Sequence, residues 1–179
     1  MAPSLQLRQQ ASLIDHCGNP LDKTPIVKTL RWQDETETQA FAQALAARPA
    51  LRSATLELQG DLGAGKTTLV RHLLRALGVS GRIKSPTYAV VEPHQAQTPE
   101  GLLNIWHFDF YRFNDPREWE DAGFRDLFAS PGLKISEWPD QARSMLPAPD
   151  LAIQLSVAED DARLATLTAH TPCGEALLA

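Results

Sequence analysis

Cysteine is scarce in this chain. Two occur in 179 residues, Cys17 and Cys173, near opposite ends and in no CxxC spacing. That excludes a cysteine zinc cluster and argues against a disulfide framework, in keeping with a reducing cytoplasm. No apolar run approaches the ~20 residues needed to span a bilayer, and the N-terminal stretch lacks a secretory apolar segment. There is no basic excess either: 17 Lys and Arg face 22 Asp and Glu, for a net charge of -5. A chain so charged is not built to hold DNA or bare RNA by itself, because that binding rests on clustered Lys and Arg. The five histidines, at 16, 72, 94, 107 and 170, follow no ligand pattern. No internal repeat or low-complexity tract is found.

What is present suits one globular domain. Hydrophobic residues make up 43% and charged residues 22%, and the length supports one real core. Residues 1–26 are polar and irregular and read as a flexible N-terminal extension. Residues 27–179 read as a single domain. Asp34–Thr38 offers N-cap chemistry, and Phe41, Ala44 and Leu45 follow at helical spacing, so a helix is predicted to stop before Pro49. Ser53–Gln59 alternates and reads as a strand. Lys66–Leu77 carries an apolar stripe at Val70, Leu73, Leu74 and Leu77, with Gly78 as its C-terminal glycine. Gly101–Phe108 is a nearly continuous apolar strand. Pro116–Phe128 reads as helix broken near Gly123, and Leu133–Ser136 as a short strand. Leu151–Val157 and Arg163–His170 read as a strand pair turning at Glu159–Asp161. That pair suggests an antiparallel edge on a mainly parallel sheet. Within Thr87–Gly101, the stretch HQAQTPEG at His94–Gly101 is expected to be an exposed, variable loop.

Gly60-Asp61-Leu62-Gly63-Ala64-Gly65-Lys66-Thr67 fits GxxxxGK[ST] at every fixed position. Each residue type has a physical reason. Glycines let the backbone curl so that N–H groups point inward, and those groups with the helix N-terminus bind anionic phosphate. Lys66 reaches the outer phosphates of ATP as a mobile charge, and the Thr67 hydroxyl takes one place around magnesium. A bare pattern of this kind has false positives. Here a strand precedes the loop and an amphipathic helix follows, which is the context required. Thr68 is either a further phosphate-side hydroxyl or a plain helix residue.

Such a site needs another acid near the metal. Asp109 ends the most apolar strand, where its side chain would face the crevice at the carboxyl end of the sheet; the bland reading is a cap for the next segment. Glu137 ends a second apolar strand. It either serves the metal or the attacking water, or is a surface residue beside a Trp-Pro turn, and its neighbours leave both open. Trp138 packs on a nucleotide, in the core, or against a partner. His107 is most simply a buried, hydrogen-bonded side chain. Lys84-Ser85-Pro86-Thr87-Tyr88 is either a loop that senses the outer phosphate or an ordinary crossover turn.

Together these segments resemble one family. GDLGAGKTTLVRHLLRALGV, KSPTYAVVEPH, HFDFYRFNDPREWEDAGFRDLF and ISEWPDQ, in that order, are similar to the bacterial TsaE (YjeE-type) ATPases, over about residues 27–157. The resemblance implies an α/β, P-loop NTPase-like three-layer fold with a mainly parallel sheet and antiparallel edge strands. It implies slow ATP hydrolysis in isolation and a cytoplasmic accessory role in threonylcarbamoyladenosine modification of tRNA. The partner would be the TsaB–TsaD complex, with tRNA engaged only through it. Magnesium would fall on Thr67 and Glu137, with Asp109 close by. Thr87 would be the switch hydroxyl. The phosphate loop would fall on Gly60–Thr68, with Asp61, Leu62, Gly63, Ala64, Gly65, Lys66, Thr67 and Thr68 at the nucleotide. Glu35 and Thr38 would lie near the adenosine, with Arg163 a further base-side residue. The 26-residue extension exceeds the family minimum, and past Val157 only a strand pattern remains. A small-molecule P-loop kinase is the alternative, although no compact Arg-rich lid follows the phosphate helix. A switch GTPase lacks its NKxD-type guanine reader.

Overall fold

A computed structural model describes residues 25–179. The expected N-terminal extension thus lies outside the described residues, save Pro25 and Ile26, of which Ile26 already belongs to the first strand and pairs with Ala169. Seven strands form one sheet: β1 (Ile26–Trp32), β2 (Thr55–Gln59), β3 (Val91–Thr98), β4 (Gly101–Asp109), β5 (Leu133–Glu137), β6 (Leu151–Val157) and β7 (Arg163–Ala169). Their spatial order is β1-β7-β6-β2-β5-β4-β3. The central strands β6, β2, β5 and β4 run parallel. Antiparallel pairs close both sides, β3 on β4 at one end, β7 on β6 and β1 on β7 at the other. A mainly parallel α/β sheet with antiparallel edges is therefore what forms.

Period-two alternation sends the side chains of each central strand to opposite layers. On β4, Leu103 and Ile105 join the core under the helices α1 (Glu35–Ala46) and α2 (Lys66–Ala76), while Trp106 and Phe108 face a second, aromatic cluster. That second layer holds the short helices α3 (Pro116–Asp121) and α4 (Phe124–Ala129), which bring Trp119 and Phe124 against Phe108 and Phe110. Gly123, at φ +66°, separates the two helices, as the break near Gly123 predicts.

Local chemistry explains the helix ends. Asp34 caps α1 by accepting from Thr36 N at 2.8 Å and Glu37 N at 3.1 Å, and the Glu37 carboxylate returns to Gln33 N at 2.6 Å. The α2 stripe buries Leu69, Val70, Leu73 and Leu74.

Two elements depart from the sequence expectation. His94–Thr98 of the expected loop are strand instead: β3 pairs with β4 along its whole length, from Val91↔Phe108 to Thr98↔Gly101. Its polar composition reflects an edge position, where Pro93 is tolerated and alternate residues meet solvent. A C-terminal helix α5 (Pro172–Leu178) was also not anticipated. Its signal was legible: Thr171 caps it through Gly174 N, with Pro172 in the first turn. Among the described residues, no helix is long and apolar enough to cross a membrane.

Candidate functional site

The site forms where β2, β4 and β5 end. The loop Gly60–Gly65 leaves β2 and delivers α2 with its N-terminus facing the crevice. Gly60 sits at φ +130°, and a Cβ there would lie 2.1 Å from the Leu155 carbonyl oxygen on β6. Only glycine lets the loop pass that close to the neighbouring strand. Gly65, at φ +107°, turns the backbone into the first residue of α2.

Lys66 is 4% exposed. Its ammonium donates to Asp61 O at 2.9 Å and to Gly60 O, and lies 3.8 Å from the centroid of the Trp138 ring. Burial pushes this ammonium below its ordinary value, against the upward pull of the Glu137, Asp109 and Asp61 carboxylates. Trp138 adopts φ +56°, an uncommon conformation for a large side chain, and its ring also meets Tyr111 at 5.0 Å.

The acids meet through strand register. β4 and β5 align Asp109 with Glu137, so two residues far apart in sequence end on one crevice. Glu137 is 1% exposed and receives the Thr67 hydroxyl, 2.8 Å from Oε2 and 3.1 Å from Oε1. Its Oε1 also lies 2.8 Å from His107 Nε2. Asp109 accepts from Thr87 Oγ1 at 2.7 Å and from Ser85 through Oδ2, and from Tyr111 N at 3.0 Å through Oδ1. The Ser85–Thr87 loop is thereby tied to the strand end.

Lys66, Thr67, Thr87, Asp109, Glu137 and Trp138 line one cleft of about 290 Å³, with Leu62 and Gly63 at its mouth. Asp61 and Leu62 stand exposed at the loop tip, whereas Ala64 is buried beneath it. A second cleft of about 310 Å³ shares Gly65 and Thr68 and gathers Glu35, Thr38 and Arg163. Glu35 Oε1 further lies 2.9 Å from His72 Nε2 on α2. The two clefts thus meet at the start of α2, one beside the carboxylates and one beside β7. Sequence reasoning did not single out Trp32, Gln33 and Asp161 in the second cleft, or Tyr111 in the first. The contact of His107 with Glu137 was missed too, although the HxD spacing at the end of β4 puts both side chains on one face.

Among the described residues, no group of three or more His, Cys, Asp or Glu side chains forms a cage for a metal ion. The oxygens gathered here are the Thr67 hydroxyl on Glu137, the Ser85 and Thr87 hydroxyls on Asp109, and those two buried carboxylates. That suits magnesium, which is held by one or two protein oxygens together with substrate phosphates.

Comparisons with known proteins bear on the family of the chain. The family model described as "Threonylcarbamoyl adenosine biosynthesis protein TsaE" matches residues 32–165. A Haemophilus influenzae protein named tRNA threonylcarbamoyladenosine biosynthesis protein TsaE is 38% identical over 138 residues, 77% of this chain and 84% of that protein. A Bacillus subtilis protein of the same name is 36% identical over 145 residues, 80% of this chain and 87% of its own. The crystal structure of Bacillus subtilis YdiB superposes with a TM-score of 0.67 at 28% identity, covering 88% of this chain and 95% of that one. The family match spans the loop, both acid-bearing strand ends and the Ser85–Thr87 segment, and so the chain belongs to the TsaE family.

Proposed function

We propose that this chain is a magnesium-dependent ATPase that serves tRNA threonylcarbamoyladenosine biosynthesis through the TsaB–TsaD complex. The observation that carries the reading is the convergence of Lys66, Thr67, Asp109 and Glu137 on one cleft at the carboxyl ends of parallel strands. The loop amides and the start of α2 supply the donors and positive potential that a triphosphate needs. Lys66, satisfied now by neutral carbonyls of its own loop, would exchange them for the charged outer phosphates. Thr67 and Glu137 would hold magnesium, with Asp109 nearby, and the ion would neutralise phosphate charge. Thr87, hydrogen-bonded to Asp109, would report on the outer phosphate. Glu35, Thr38 and Arg163 would face the nucleoside.

The acidic net charge of -5 fits contact with tRNA only through partners, and the scarce cysteines fit the cytoplasm. The family match favours this reading over a small-molecule kinase.

The test is ATP turnover by the chain alone and with TsaB–TsaD added. Slow turnover that rises with the pair is expected. Lys66→Ala is expected to lose productive ATP binding, and Glu137→Ala to lose turnover more than binding. Turnover indifferent to the pair but stimulated by a small hydroxyl compound would overturn the accessory role and favour the kinase. Normal binding and hydrolysis by Lys66→Ala would overturn the site.

A further inference from the structure

His107 has no exposed surface. It lies on β4 opposite Ile135 in the parallel register, two residues before the aligned pair Asp109 and Glu137. The strand's alternation therefore turns His107 and Asp109 to the same face as Ile105, which is the face covered by α2. From there its Nε2 lies 2.8 Å from Glu137 Oε1. A carboxylate accepts and cannot donate, so the imidazole proton in this contact is on Nε2. Nδ1 has no hydrogen-bond partner among the described residues. The contact to Glu137 is thus what orients the ring.

Glu137 is held from two sides. His107 grips Oε1 from the sheet, and Thr67 Oγ1 approaches Oε2 to 2.8 Å from the first turn of α2. Without His107, the Thr67 hydroxyl, 3.1 Å from Oε1 and 2.8 Å from Oε2, would be left to hold a carboxylate whose last side-chain torsion has broad preferences. A carboxylate that orients a cation is commonly fixed by such an outer hydrogen bond, and losing that bond typically weakens metal binding about 10–100-fold.

We propose that His107 is a positioning residue for the magnesium-site carboxylate: its Nε2–H clamps Glu137 Oε1 and so aims Oε2 at the cleft beside Thr67. This rests on the proposed role of Glu137 in holding magnesium. The test is magnesium titration of the binding of a fluorescent, non-hydrolysable ATP analogue, with thermal unfolding measured alongside. His107→Phe keeps an aromatic ring, slightly larger than imidazole, and removes the donor. It is expected to raise the half-effective magnesium concentration by about 10–100-fold. His107→Gln, which returns an N–H at similar reach, is expected to recover most of that loss. An unchanged magnesium dependence in His107→Phe overturns the assignment. So does a His107→Gln variant as impaired as His107→Phe, because a restored N–H donor would then have made no difference. A wild-type chain whose nucleotide binding ignores magnesium overturns both this assignment and the metal reading of Glu137. Should His107→Phe fail to fold, nitrogen NMR of the wild-type imidazoles decides. An Nε2–H tautomer whose signal moves in Glu137→Gln supports the clamp, and an Nδ1–H tautomer overturns it.

Discussion

A methyl group at Gly60 would meet the Leu155 carbonyl oxygen at 2.1 Å, in a backbone conformation of φ +130°. Gly60→Ala is therefore expected to cost about 3 kcal/mol, seen as a lower urea midpoint, because strain and clash add. The motif made this glycine legible, but not its reason, which lies on β6 some ninety residues away. Lys134 gives a pH prediction at the same scale. It is 4% exposed, donates to Gly132 O at 3.1 Å, and burial holds its ammonium below the usual 10.5. Between that lowered value and 10.5 the unfolded chain keeps a proton that the folded chain has released. Stability contributed at Lys134 therefore rises with pH through that window. Urea midpoints taken toward pH 10.5 should rise less steeply in Lys134→Met than in the wild-type chain.

Elements bring a different kind of constraint. The turn Pro139–Ala142 follows Trp138, and directly after it Arg143 reaches back to β2, donating to Glu57 at 2.9 and 2.8 Å. The Glu57 side chain is 2% exposed and that of Arg143 44%. This two-pronged pair pins the segment that lays Trp138 over Lys66. Arg143→Met would strand a buried carboxylate and is expected to cost about 3 kcal/mol, whereas the double change with Glu57→Leu should recover most of it. Chemical denaturation of these two variants beside the wild-type chain checks this. No local pattern announced the pair, since its partners stand on different elements. Strand β3 escaped for a related reason. An edge strand with one wet face and a proline has little of the apolar run that marked β4.

At the scale of the whole molecule, a ligand that binds only the folded chain stabilises it by mass action. Nucleotide with magnesium at a hundred times its dissociation constant should add about 2.7 kcal/mol. For a domain of this size that is a rise of roughly 5–10 °C in melting temperature, and Lys66→Ala should show none of it. The sequence by itself determined the phosphate loop, the helix behind it, the alternating strands and the acids at their ends, because those depend on neighbours in the chain. Torsional freedom at glycine, capping and period are local properties. Only the tertiary structure decided which acids face Thr67, that Ser85 and Thr87 tie to Asp109, and that His107 grips Glu137. Those contacts depend on strand order and register. Register is set by non-local pairing and core burial, and a shift of one residue would turn the strand residues among them, His107, Asp109 and Glu137, to the other face of the sheet.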